Sequence, residues 1–307
     1  WERSRLAALY ALAQGDAPVV VATADGLMAR TLPPETLRSL AITLEVGGQA
    51  ELGALAEQLL SAGYTRCEQV EGVGQFALRG GILDVFSPLM DQPVRCEFFD
   101  DEIDSMGAFD PGTQRRTRNV SSARILPAAE VLPHCAPGGL PGLADQLTAL
   151  AEKLAKKQKT EAIVQTLRED AERLRSGAAP GAADRYLAAI YPTVTAGVHY
   201  LPPDAVVFLS ESGRVDERVK NTVLQQKQDV EALLSAGVLA GEYAHLTLTA
   251  EELYAALEDF PVILEDSLPT SRHPLRPRGL LTMNAKQLSS YGGSLETAVT
   301  DLEHYRS

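Results

Sequence analysis

A short apolar strand followed by Ser210-Glu211-Ser212 is the kind of place where a nucleotide-hydrolysing enzyme keeps a carboxylate pair to hold Mg2+. Serine at the first position cannot ligate Mg2+ as a carboxylate does, so these residues read as a strand end and a helix cap. A phosphate cradle needs a glycine-rich loop ending in Gly-Lys-Ser/Thr, whose amides and lysine hold the phosphates. The sequence contains no Gly-Lys pair, and Gly72-x-Gly74 and Gly80-Gly81 read as backbone turns. Asp100, Asp101, Glu102 and Asp104 form an acidic cluster that suggests a metal or an acid/base pair. Adjacent strand residues face opposite ways, however, and a tight turn leaves such carboxylates in water, so the cluster reads as a solvated hairpin tip. Arg115, Arg116 and Arg118 are basic enough to meet phosphate or acidic protein. They also suit an exposed strand edge protected against further pairing. Cys67, Cys96 and Cys135 form no CxxC pair and read as reduced structural thiols, and the five histidines lack zinc-site spacing. Neither a metal nor a bound cofactor is expected.

The elements that must position these residues follow from composition and periodicity. The chain has 307 residues, 45% of them hydrophobic, enough for two or three domains with real cores. Lys plus Arg is 28 against 41 for Asp plus Glu, a net charge of −13, the wrong sign for a surface that grips phosphate backbones over much of its area. No apolar run approaches the roughly 18 residues of a membrane span and no secretory signal opens the chain, so a cytoplasmic protein is expected. The first residue is Trp1, and a piece of a longer protein is expected. Val19-Val20-Val21-Ala22 reads as a strand of a parallel α/β unit, with helical turns around Pro33-Pro34. A second unit begins with a strand at Ile42 to Val46. A helix from Glu51 to Ala62 follows, with Leu52, Leu55, Leu59 and Leu60 on one side and Gly63 as its cap. Strands at about 65–70, 75–79, 81–86, 94–99, 102–109 and 119–126 imply an antiparallel sheet. Two helices between Leu140 and Arg175, a buried strand at Ala205 to Leu209, a helix at 216–235 and a strand at 261–264 return to a parallel α/β pattern. The expected fold class is therefore α/β, with an antiparallel α+β domain inserted into a parallel layer.

Alternation assigns sides within the sheet. In Val94-Arg95-Cys96-Glu97-Phe98-Phe99, Val94, Cys96 and Phe98 share one face, and Arg95, Glu97 and Phe99 the other. In Gln75-Phe76-Ala77-Leu78-Arg79, Phe76 and Leu78 point to the core, and Arg79 points away with Gln75 and Ala77. If the two strands are neighbours, Arg79, Arg95 and Phe99 form a patch of arginines around an aromatic, the composition of an interface anchor. Periodicity alone allows a second reading, in which Phe99 packs under a helix and the arginines pair with Glu97 and its neighbours.

The block Phe76-Ala77-Leu78-Arg79-Gly80-Gly81-Ile82-Leu83-Asp84-Val85-Phe86, with Gly63-Tyr64, Arg95 to Ile103, Phe109-Asp110, Thr113-Gln114-Arg115 and Leu126 to Glu130, resembles the UvrB-homology module of the bacterial transcription-repair coupling factors (Mfd). Weaker likeness covers Val206 to Arg214 and the end, where Tyr291-Gly292-Gly293 and Leu302 resemble the approach to a further domain. The resemblance implies a helicase-like parallel α/β layer, degenerate and without a nucleotide site. It would comprise a partial α/β domain at 1–42, an inserted UvrA-docking domain at 43–126 and an α/β domain at 127–307. The family's UvrA-contacting residues fall on Arg79, Arg95 and Phe99, which tips the two readings toward a binding surface. The chain would then be a non-catalytic docking module that recruits UvrA to stalled RNA polymerase. The ATP- and Mg-dependent DNA translocase motor and the contacts to RNA polymerase and DNA would lie in other domains, one of which masks the docking face. A fragment of the UvrB helicase subunit is the alternative. UvrB requires an intact phosphate loop and a long aromatic hairpin, whereas only a short segment separates Thr23 from Thr43 here.

Overall fold

The computed structural model describes residues 2–17, 19–157, 160–268, 272–283 and 295–306; Tyr291-Gly292-Gly293 lies outside them. Residues up to Leu275 form one compact unit, and those from Arg276 onward form a second, which contains α10 (Leu295–Arg306). The protein is a mixed α/β structure. The first unit opens with α1 (Glu2–Gln14), α2 (Ala24–Met28) and α3 (Pro34–Leu40). Residues 19–22, expected as a parallel strand, form none and stand exposed, Val21 at 94%. β-branched content favours a pleated surface, and among the described residues no strand pairs with this run to supply one.

The centre of the unit is a six-stranded sheet. Its strands are β2 (Thr65–Arg66), β3 (Gln75–Arg79), β4 (Ile82–Val85), β5 (Val94–Phe99), β6 (Glu102–Phe109) and β7 (Arg116–Asn119), in spatial order β2-β3-β4-β5-β6-β7. All pairs are antiparallel except β2–β3. The strand expected at 65–70 stops at Arg66, because the chain folds back where the Gln75 side chain accepts from the Glu71 and Gly72 amides at 2.9 Å. The strand expected at 119–126 is two elements: β7 at the sheet edge and β8 (Ser122–Ile125), which pairs antiparallel with β1 (Ile42–Glu45).

The helix α4 (Leu52–Ser61) covers one face of the sheet. Glu51 starts it by accepting from the Gly53 and Ala54 amides at 2.7 and 2.6 Å, and Gly63, at φ +84°, ends it in a left-handed conformation that costs glycine no steric penalty. Leu55 and Leu59 join Phe76, Leu83, Cys96, Ile103 and Met106 in the core, while Leu60 points out. The opposite face carries a smaller cluster of Val70, Ala77, Phe86 and Phe109, so Ala77 is buried although it points away from the main core.

The amphipathic helices α5 (Gly139–Ala155) and α6 (Glu161–Arg175) pack together with α1, α3 and α7 (Leu187–Ile190) around Leu143, Leu147, Leu167 and Tyr186. Finally β9 (Val207–Ser210), α8 (Ser212–Ser235), α9 (Ala250–Leu257) and β10 (Val262–Glu265) form a two-stranded parallel sheet with its connecting helices. The expected buried strand at 205–209 buries only one side. Leu209 is in the core, but Phe208 is 62% exposed opposite Ile263, because nothing among the described residues covers that face. Among the described residues this two-stranded pair stands where a larger parallel layer was expected.

Candidate functional site

The face of the sheet away from α4 brings Arg79, Asp84, Arg95 and Phe99 to one side. β3 and β5 are not neighbours as the simple reading required, since β4 runs between them and places Asp84 between the two arginines. Cross-strand register aligns Ala77, Asp84, Arg95 and Gly107 in one row over β3, β4, β5 and β6. The alternation of β5 survives a bulge at this point. Glu97 pairs with Ser105 and Phe98 with Ile103, so the extra residue, Asp104, sits on β6. Phe98 therefore stays on the core side and Phe99 on the outer side.

Asp84 organises the face. Its side chain is 1% exposed, and it accepts from Arg95 Nε at 2.7 Å, Arg95 Nη2 at 2.8 Å and Arg79 Nη2 at 2.7 Å. The Arg95 pair is bidentate, the geometry in which guanidinium and carboxylate bind best. The carboxylate beside it holds Arg95 above its ordinary pKa, against the opposing pull of burial. The Arg95 guanidinium also lies 4.7 Å from the centre of the Phe109 ring and 3.4 Å from Gln114 Oε1. Gln114 is fixed in turn by its Nε2 donating to Pro111 O at 2.7 Å and Val70 O at 3.1 Å. Arg79 is looser, its side chain 49% exposed against 22% for Arg95. Two guanidinium groups and one carboxylate leave a local excess of one positive charge on a chain of net charge −13.

Glu97 adds a weaker electrostatic pull on Arg95 than Asp84 does, and its hydrogen bond is made elsewhere. It accepts from Ser105 Oγ at 2.9 Å, which accepts from Arg116 Nη2 at 3.3 Å. Arg116 lies across Gly107, where a Cβ would stand 1.8 Å from its Nε, so the absence of a side chain at 107 lets the Arg116 side chain reach over the sheet. Phe99 ends β5 before the turn at Asp100, whose φ is +52°, and it is 75% exposed rather than tucked under a helix. Asp84 escaped the sequence reading. Its pattern was available, since a lone acid between Leu83 and Val85 alternates onto the arginines' side, but which arginines it meets depends on register.

The other chemical candidates resolve differently. Asp100, Asp101, Glu102 and Asp104 are exposed at the β5–β6 turn, and Arg116 and Arg118 lie on the edge strand β7. At the carboxyl ends of β9 and β10, Asp266 accepts from the Ser212 amide at 2.7 Å and from Ser212 Oγ at 2.8 Å, which fills the start of α8 with a carboxylate. Glu211, at φ +54°, accepts from Ser267 Oγ. Cys67, Cys96 and Cys135 are free thiols, and among the described residues no three acidic, histidine or cysteine side chains converge as a metal site. No helix among the described residues is long and apolar enough to cross a membrane.

The face thus combines an arginine pair locked on a buried acid with an exposed aromatic, residue types enriched at the energetic centres of protein interfaces. Residues 42–130 match the family of the UvrB interaction domain. Along 98% of its length the chain is similar to the transcription-repair-coupling factor of Bacillus subtilis (strain 168), at 27% identity, and to that of Staphylococcus aureus (strain USA300), at 25%. The transcription-repair-coupling factor of Myxococcus xanthus is 39% identical over 56% of the chain. The chain spans about a quarter (26%) of the length of the first two relatives and 14% of the third. The resemblance to a UvrB-homology module of the coupling factors thus holds along the chain, and the matched relatives favour it over a fragment of UvrB itself.

Proposed function

We propose that this chain is a non-catalytic docking module of a transcription-coupled DNA repair factor, and that it recruits UvrA to sites of stalled RNA polymerase through Arg79, Arg95 and Phe99. The observation that carries this reading is the exposed Phe99 on the same face as two guanidinium groups that Asp84 holds in place. A pre-oriented arginine loses little freedom on binding, and an exposed aromatic gains most when a partner covers it. Residues 43–126 form the docking domain, carried between α/β segments at 1–42 and 127–307 that descend from a helicase-like layer. The parallel pair β9–β10 supports that descent. The module binds no nucleotide or metal itself. ATP and Mg serve motor domains outside it, other domains meet RNA polymerase and DNA, one of them masks the docking face, and the protein works in the cytoplasm.

Purified UvrA titrated onto the chain tests the reading. Phe99→Ala and Arg79→Ala each spare the core and leave Arg95 on Asp84; together they are expected to weaken binding by at least tenfold, since a good interface anchor is worth ~2 kcal/mol. Unchanged affinity in a folded double variant would overturn it. Tight ATP binding by the chain would favour a nucleotide-driven function instead.

A further inference from the structure

Among the described residues strand β1 pairs only with β8, and its opposite edge is open along Thr43 to Glu45, ending at Gly47, whose amide donates to Ile103 O at 2.8 Å. The Val46 amide donates to Ser121 O at 3.0 Å, which makes 46 and 121 a bonded pair and, by alternation, directs the bonds of Leu44 and Ile42 toward β8. The Thr43 N–H and C=O and the Glu45 N–H therefore point outward, and among the described residues no backbone group meets them, while the Glu45 carbonyl accepts from Gly48. This edge borders a groove of about 570 Å3 between β1 and α4, lined by Thr43, Glu45, Glu51, Ala54, Leu55 and Ile103 among others. Leu44 and Leu55 belong to the core beneath, and Thr43 and Glu45 are exposed.

We propose that this edge docks an extended peptide segment whose side chains alternate between basic and apolar. An added strand would bond Thr43 and Glu45 through its own backbone, extending the β1–β8 pair. Residues facing Thr43 and Glu45 would share their exposed side, where the Glu45 carboxylate selects Lys or Arg as a cross-strand partner. The residue between them would turn its side chain down toward Leu44 and Leu55, which selects an apolar one. Glu51 adds a second carboxylate. Its Gly53 and Ala54 amide bonds hold it below its ordinary pKa, so it is charged at neutral pH. A second copy of the chain fits poorly, because it would set acidic edges against each other in a protein of net charge −13. The groove lies on the α4 side of the sheet, opposite Arg79 and Arg95, so this site is independent of the UvrA reading.

The probe is acetyl-Val-Lys-Val-Lys-Val-amide added to the whole chain. Binding is followed by fluorescence anisotropy, and exchange of the Thr43 and Glu45 amides by nuclear magnetic resonance. The peptide is expected to slow exchange at both amides at least tenfold. Methylating its two lysine amide nitrogens, or making Glu45→Lys in the protein, should weaken binding at least tenfold, whereas Arg79→Ala should leave it unchanged. The proposal is overturned if exchange at Thr43 and Glu45 is unaffected by saturating peptide, or if the methylated peptide binds as well as the parent. It is overturned too if the two amides become protected with rising protein concentration alone, which would assign the edge to a second copy.

Discussion

Replacing Asp84 with Asn tests whether one buried carboxylate supports the whole arginine face. The change keeps the shape but removes the charge, and it turns an amide group toward guanidinium donors that need acceptors. Three guanidinium bonds of 2.7 to 2.8 Å are affected. Breaking a fully buried ion pair costs about 3–5 kcal/mol. Arg79, half exposed, can rehydrate, so its bond counts as a surface pair worth at most about 1 kcal/mol. Arg95 is 22% exposed and rehydrates only in part, while its stacking on Phe109 persists. The expected loss is about 2–3 kcal/mol. At about 2–4 °C per kcal/mol for a protein near this size, the melting temperature should fall by about 5–10 °C. Urea and thermal melts measure it, with the partly exposed Glu97→Gln as a comparison expected within about 0.5 kcal/mol of wild type. The complementary double variant Arg79→Ala/Arg95→Ala leaves Asp84 buried without a cation. A buried charge left without its partner is destabilising, so this double variant should lose more than either single one, and adding Asp84→Asn should recover part of the loss. An Asp84→Asn protein that melts within about 0.5 kcal/mol of wild type, or a triple variant no more stable than the double, would refute the reasoning.

Three further outcomes follow from single groups. Burial, with a contribution from the Asp84 carboxylate, pushes the Cys96 thiol up to about 12, so a thiol reagent at pH 8 should label the partly exposed Cys67 and Cys135 and spare Cys96. An unfolded cysteine ionises near about 8.5. The folded chain keeps a proton that the unfolded chain releases, so stability should fall as pH rises from about 8.5 toward 12, and Cys96→Ala should flatten that slope. Gly63→Ala forces a side chain into φ +84° with its Cβ 2.7 Å from Leu132 Cδ2, a cost of about 2–3 kcal/mol by urea melts; a change under about 0.5 kcal/mol would refute the account of how α4 ends. Phe99→Ala should leave stability within about 0.5 kcal/mol of wild type because the ring is 75% exposed, and a larger loss would mean that it packs.

The sequence showed which side of a strand each residue takes, and showed poorly which residue it meets there. In β5 the alternation of Val94, Cys96 and Phe98 against Arg95, Glu97 and Phe99 came through because the bulge places its extra residue on β6, leaving β5 regular. Ala77 alternates outward as expected, yet it is buried, since Phe86 and Phe109 build a second small cluster on that face from residues distant in sequence. The same limit hid Asp84, whose partners follow from β4 lying between β3 and β5, a long-range pairing that no local pattern displays. The helices α4, α5 and α6 were legible because a 3.6-residue apolar period is local, and a capping Glu51 or a following Gly63 is adjacent to what it caps. Val19 to Val21 failed for the opposite reason: β-branched residues suit a strand only where a neighbouring strand offers its hydrogen bonds, and that neighbour cannot be read from the run itself. The arginine face is thus half local and half not. Its arginines and aromatic lie where period-two alternation puts them, whereas the acid that orients the arginines, and the glycine that lets Arg116 cross the sheet, act through register alone.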